Sequence, residues 1–166
     1  MPRAEYGVIW EVVTPPSMYL PIVTLHPATL NEFDYIYGLC ELTMRGFVEA
    51  DLGDCFERIA RPTITALLAK GLFSTLQKNG ERVGAIAFEQ KDTHFQLEEL
   101  YVEPICQKRG IGGAAIKIVM AQAMTQEKPM RLHVLASNPA KVFYEKFGFA
   151  ITRTTKEVNF MERALS

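Results

Sequence analysis

The sequence predicts a single mixed α/β domain, and three observations carry that expectation. The chain has 166 residues, the usual size of one domain, and its 48% apolar and 22% charged types allow a sizeable core. In its first half, one stretch places apolar residues three and four apart, the spacing of a helix with one buried face, and a second is bounded by helix start and stop residues. From Leu72 onward, short alternating stretches bounded by Gly, Pro and Asn interleave with two further helical segments.

Taken in order, Tyr6–Val13 reads as a short strand or a loosely attached arm ahead of the Pro15-Pro16 boundary. Leu20–Leu25 reads as a strand ended by His26-Pro27, with Pro21 confined to its start or to a sheet edge. From Thr29 to about Met44, the residues Leu30, Phe33, Ile36, Tyr37, Cys40 and Met44 share one helical face. Gly46–Gly53 reads as a connection. Asp54 can then cap a second helix, Cys55–Lys70, which Pro62 should kink or split and Gly71 should stop. Strands follow at Leu72–Gln77 and Arg82–Glu89, joined by Lys78-Asn79-Gly80-Glu81, whose Asn-Gly pair supplies the positive φ angles of a tight hairpin. Thr93–Val102 is a third strand, ended by Pro104. A largely apolar helix, Gly112–Gln126, should lie against the sheet. Met130–Ala136 alternates as a strand, Ala140–Phe147 is a short helix stopped by Gly148, and Phe149–Arg153 with Glu157–Met161 forms a closing hairpin.

Composition narrows the function. A formal net charge of −1 gives no basic footprint for nucleic acid, and no apolar run is long enough for a bilayer or resembles a secretory leader. A soluble cytoplasmic protein is the expectation. Cys40, Cys55 and Cys106 are scattered, and His26, His94 and His133 stand alone, so neither a disulfide framework nor a metal site is expected.

Three segments carry chemistry. Gln107-Lys108-Arg109-Gly110-Ile111-Gly112-Gly113 sits between a strand and a helix, where unpaired N–H groups and the helix dipole attract phosphate. Its glycines keep Cβ atoms out of the way, although the same residues could form an ordinary soft turn. It is neither a Walker A loop nor a dinucleotide fingerprint. In the strand before it, Phe95 and Leu97 bury odd positions while Leu100 and Val102 bury even ones. That change of parity requires an extra residue, so a β-bulge is predicted at Glu98-Glu99. A bulge there would splay the strand and leave backbone groups of Leu100–Val102 free for an extended amide-containing ligand; a plain polar edge is the competing reading. Lastly, Asn138 can cap the short helix, and Tyr144, nearly two turns on, could present its hydroxyl at the sheet opening.

Together, the bulged strand with Leu100-Tyr101-Val102, the Gln107–Gly113 loop, a long helix, a strand and the Asn138-to-Phe149 segment resemble the GNAT superfamily of N-acetyltransferases, over roughly Phe95–Phe149. The resemblance implies a central, mostly antiparallel twisted sheet with a bulged, splayed strand flanked by helices. It implies one domain over 1–166, with 1–19 a strand or arm, 20–92 facing the acceptor and 93–166 holding acetyl-CoA. Gln107, Lys108, Arg109, Gly110, Ile111, Gly112 and Gly113 would hold the pyrophosphate, Leu100, Tyr101 and Val102 the pantetheine arm, and Asn138, Lys141 and Tyr144 would complete the cofactor site. Tyr144 would serve as general acid, and Glu98 or Glu99 as general base, directly or through water. Acetyl-CoA is the implied cofactor, without a metal. The implied partner is an amine-bearing acceptor, small molecule or peptide, and a homodimer fits the family. Glu49, Asp51 and Asp54, against Arg45, bias the acceptor side toward a cation, or else form a solvated acidic loop. A catalytically silent acetyl-CoA-binding module, a protein N-terminal or lysine acetyltransferase and a simple phosphate- or nucleotide-binding domain are the alternatives.

Overall fold

The computed structural model describes residues 22–165. The expected segment Tyr6–Val13 and the start of the Leu20–Leu25 strand lie outside the described residues. The element order is β1 (Thr24–Pro27), a short 3-10 turn (Leu30–Glu32), α1 (Phe33–Leu52), α2 (Phe56–Ala69), β2 (Phe73–Lys78), β3 (Glu81–Gln90) and β4 (Phe95–Val102). A second 3-10 turn (Pro104–Cys106) leads to α3 (Ile111–Thr125), β5 (Met130–Leu135), α4 (Ala140–Glu145), β6 (Ala150–Thr154) and β7 (Val158–Arg163).

The seven strands form one sheet in the order β1-β2-β3-β4-β5-β7-β6. Every neighbouring pair is antiparallel except β4 with β5, which is parallel and pairs only at Phe95 with Met130 and Gln96 with Arg131. Beyond that point β4 and β5 diverge. The mostly antiparallel, splayed sheet expected from the sequence is therefore present. The last two strands do form a hairpin, but β7 inserts beside β5 and leaves β6 on the edge.

Two cores cover the two faces. On one, α3 lays Ile111, Ala115, Ile116 and Val119 against Ile86, Phe95, Leu97, Leu132 and Met161. On the other, Ile36, Leu39 and Cys40 of α1 and Phe56, Ala60 and Ile64 of α2 pack over Phe73, Ala85, Ala87 and Tyr101. The Lys78-Asn79-Gly80-Glu81 turn has φ of 53° at Asn79 and 80° at Gly80, the two left-handed residues that its sequence demands.

Two local expectations are corrected. Gly46–Gly53 is not a connection: α1 runs on to Leu52 and ends only where Gly53 adopts a left-handed φ of 63°. Continued burial of Val48 keeps that last stretch helical and outweighs the penalty of Gly46. Pro62 does not split α2, which is continuous through it. The ring removes the hydrogen bond to the Arg58 carbonyl, but both residues lie on the exposed face, where water can take that carbonyl.

Candidate active site

The site forms where β4 and β5 part. Ala87 of β3 faces Glu99, whereas Phe88 faces Leu97, so Glu98 is the unopposed residue of a bulge. The bulge exchanges the faces of β4: Phe95, Leu97, Leu100 and Val102 lie with the α3 core, and Tyr101 with the α1–α2 core. The parity change in the sequence is thus the bulge itself.

Backbone alternation then decides which groups are free. Glu103 donates its N–H to the Val83 carbonyl at 2.9 Å, which sets the hydrogen-bonded positions two apart at Glu103, Tyr101 and Glu99. Tyr101 therefore spends its backbone on β3. Leu100 and Val102 point theirs toward β5, which has already diverged. The Val102 carbonyl is taken by the Gln107 side-chain amide at 3.1 Å, while the Leu100 groups remain open to the cleft. Gly84 makes this close pairing possible: a Cβ there would stand 2.2 Å from the Tyr101 carbonyl oxygen.

Past the second 3-10 turn, Lys108 and Gly110 adopt left-handed φ values of 60° and 79° and turn the chain into α3. Ala114 makes the first backbone bond of that helix, to Gly110, and among the described residues no backbone N–H from Lys108 to Gly113 has a backbone partner. Such a row of donors at a helix start suits a phosphate. Gly113 has a second reason to lack a side chain: an added Cβ would lie 3.1 Å from Phe147, whereas one at Gly112 would meet Phe143 at an ordinary contact distance of 3.4 Å. Gly113 lets the start of α3 settle against Phe147, just past α4.

Two cavities meet at the splay. A groove of about 750 Å³ runs from Gln107, Lys108 and Gly110–Gly113 past Phe143 and Phe147 to Leu100–Val102 and Tyr144. A smaller cavity of about 230 Å³ lies beneath α1 and α2 and contains Glu98, Glu99, His133 and Phe56. Met44, Leu100, Tyr101, Asn138, Ala140 and Tyr144 border both. Of the residues expected at the cofactor, Arg109 and Lys141 do not line the groove, and Lys141 instead faces Glu145 at 3.7 Å. Thr43, Met44, Phe47 and Lys146 line it without having been expected at the site; Thr43 and Met44 lie in the part of α1 expected as helix, and Phe47 in the Gly46–Gly53 stretch expected as a connection.

Asn138 accepts the Ala140 N–H at 2.9 Å with its side-chain oxygen, supporting the start of α4, and turns its amide toward the Met44 sulfur. The loop carrying it is tied to α1, because Asp51 accepts both the Ser137 N–H at 2.9 Å and its hydroxyl at 2.8 Å. The acidic bias expected to greet a cationic acceptor is largely consumed. Asp51 holds Ser137, Glu49 joins Glu41 and Glu57 around Arg45, and Asp54 accepts the Cys55 N–H and faces Arg58.

The two expected glutamates differ. Burial beneath the helices pushes the Glu99 carboxyl up to about 7; the Tyr101 hydroxyl beside it opposes that rise and the neighbouring Glu98 adds to it. Behind them, burial raises Tyr101 well above its ordinary range and lifts the Cys40 thiol to about 12. Tyr144 is buried, packed edge-on against Phe143 and Phe149, and burial with the charge of Glu99 raises its phenol above the usual value. It is therefore protonated at neutral pH. A partly buried carboxylate near neutrality and a protonated phenol on the same cleft are groups chemically able to accept and to donate a proton.

Among the described residues there is no helix long and apolar enough to cross a membrane and no group of three or more potential metal ligands. No curated protein matches the chain. Among solved structures, it is similar to PaiA N-acetyltransferase from Thermoplasma acidophilum in complex with coenzyme A, at 16% identity over 87% of this chain and 99% of that one, with a TM-score of 0.69. Arabidopsis thaliana Naa50 in complex with the bisubstrate analogue CoA-Ac-MVNAL gives 21% identity, 86% and 99% coverage and a TM-score of 0.65. The ribosomal-protein-S18-alanine N-acetyltransferase of Escherichia coli gives 18%, 87% and 96%, and 0.64. At these identities the likeness establishes the fold. The family model for the acetyltransferase (GNAT) domain matches residues 56–162, from the start of α2 to the last strand, and the chain belongs to the GNAT acetyltransferase family.

Proposed function

We propose that this GNAT acetyltransferase is an acetyl-CoA-dependent N-acetyltransferase that acts on a primary amine by direct transfer. The observation that carries the reading is the meeting of two cavities at Leu100, Asn138 and Tyr144, one lined by phosphate-seeking donors and the other containing Glu99.

The residues fit coenzyme A on their own chemistry. The unpaired N–H groups from Lys108 to Gly113 suit the pyrophosphate, with Gln107 bracing the loop against Val102. The open backbone of Leu100 suits an amide of the pantetheine arm, and the Asn138 amide faces the same groove. When bound, acetyl-CoA supplies an acetyl group activated as a thioester. Glu99 takes the proton of the incoming ammonium, directly or through water, and Glu98 serves to keep its neighbour's affinity for protons high. The Leu100 N–H polarises the acyl carbonyl, a preorganised donor in a site shielded by α1 and α2. Tyr144 holds the proton for the departing thiolate.

The cavities do not follow the expected split at residue 92: Thr43, Met44 and Phe47 of α1 line the cofactor-side groove, and β4, β5, Asn138 and Tyr144 contribute to the cavity on the acceptor side. The bisubstrate analogue held by one neighbour and the ribosomal-protein alanine named for another favour an amine-bearing acceptor of protein origin. Thiol release from acetyl-CoA across a panel of small amines and peptides tests the reading, alongside calorimetry with CoA. The expected outcome is CoA binding with acetylation of at least one amine class. CoA binding without any acetylated product would refute the enzyme and leave a binding module, and preference for ATP or NAD would refute the cofactor.

A further inference from the structure

The acceptor cavity does not end at Glu99. Past Glu98, Leu132 and His133, which border both, it opens into a groove of about 520 Å³ on the face of β5, β7 and β6 that α1 and α2 leave uncovered. Register explains what lies there. His133 stands opposite Phe160, and Phe160 opposite Arg153, so the three form a row across neighbouring strands. The His133 and Phe160 rings are 6.0 Å apart, and the Arg153 guanidinium lies 3.9 Å above the Phe160 ring.

Charge in the groove is unequally spent. Arg131 is paired with Glu162 at 2.7 Å, and Lys91 with Glu89 at 3.5 Å. Arg153 has neither an ion pair nor a side-chain hydrogen bond among the described residues, although stacking on Phe160 fixes where its charge sits. A guanidinium held over an aromatic ring, with no carboxylate partner of its own, has N–H donors left for a ligand and suits a carboxylate. The row thus runs from His133, which shares the smaller cavity with Glu99, over Phe160 to Arg153, the unpaired cation of the groove among the described residues, with the Glu98 carboxylate at the opposite end near the smaller cavity.

We propose that the acceptor is an amine carrying a carboxylate away from its reacting nitrogen, with that carboxylate received by Arg153 and the intervening part of the molecule lying on His133 and Phe160. This rests on the acetyltransferase reading above and narrows its substrate class. Polyamines and lysine-rich peptides, with cations where Arg153 stands, are disfavoured. An acidic small amine and a peptide with an acidic residue near its N-terminus present the same chemistry.

The test measures kcat and KM, by thiol release, for two matched sets. One is a series of ω-amino acids and the diamines of equal length; the other is short peptides with Asp or Lys at the second, third or fourth position. In at least one set the acidic member should have a KM lower by about fivefold or more, the scale of one partly exposed ion pair. Arg153→Gln should bring the two members within about twofold, and Arg153→Glu should reverse their order, with kcat and CoA affinity unchanged in both. A preference confined to the first set identifies a small-molecule acceptor, and one confined to the second a peptide. Equal or reversed KM values in the wild type, or a preference that survives Arg153→Glu, would overturn the proposal while leaving the acetyltransferase reading intact. Failure to bind CoA at all would overturn both.

Discussion

Glu99 provides the sharpest test of the site, because in the proposed mechanism one carboxyl governs both activity and stability. Its pKa is raised from 4.5 to about 7 by burial, so the folded protein binds a proton there that the unfolded chain releases. The sign follows directly. The contribution is fully present below about pH 4.5 and is lost as pH rises through about 7. Above that window the ionised carboxylate costs the fold up to about 3 kcal/mol, the free energy of the shift. Replacing Glu99 with Gln removes the titration but keeps the shape. Wild type and variant should therefore melt together near pH 4.5 and separate progressively up to pH 8, where the variant is more stable by several degrees in Tm. Activity should move oppositely. In the wild type, kcat/KM should rise with pH through a midpoint near 7, and the variant should retain at most about a hundredth of it. Glu98→Gln should lower that midpoint, since the charge of Glu98 helps to hold it up. A stability difference that does not change with pH, or a Glu99→Gln enzyme with an unshifted and active profile, would refute the argument.

The other predictions concern the parts around this carboxyl. Tyr144→Phe should reduce kcat by roughly a hundredfold or more while leaving the calorimetric affinity for CoA within about twofold, because only the proton-donating hydroxyl is removed and the packed ring stays. Gly84→Ala should destabilise the fold by about 2 kcal/mol or more in denaturant unfolding, and should weaken CoA binding, since its Cβ meets the Tyr101 backbone rather than a yielding side chain. Asp51→Ala removes two hydrogen bonds to Ser137 and should cost about 2 kcal/mol in thermal unfolding; because that clamp carries Asn138, KM for acetyl-CoA should rise as well.

The elements legible in the sequence were those written in backbone chemistry or strict periodicity. Asn79-Gly80 specified its hairpin because left-handed φ angles are costly for most other residues. The change of parity between Leu97 and Leu100 specified a bulge because a strand can exchange faces only by inserting a residue. Tertiary effects were hidden. The second half of α1 is held by the burial of Val48 and by carboxylates gathering on Arg45, contacts that no local pattern announces. As a result Phe47, which lines the larger groove, fell in a segment that read as a connection. The acidic residues around them suggested a greeting for a cation, yet Asp51 faces Ser137 across 86 positions of chain. Composition counts charges; only the fold shows which are already paired. The same logic gives Arg153 its interest. In the sequence it is one cation among 18, distinguished by nothing in its neighbourhood. In the sheet, a register that sets it over Phe160, while Arg131 and Lys91 are occupied by glutamates, leaves it the cation in that groove without an ion pair among the described residues. Site residues that act through the backbone can be found from local sequence, whereas those that select a substrate are defined by what their neighbours leave unpaired.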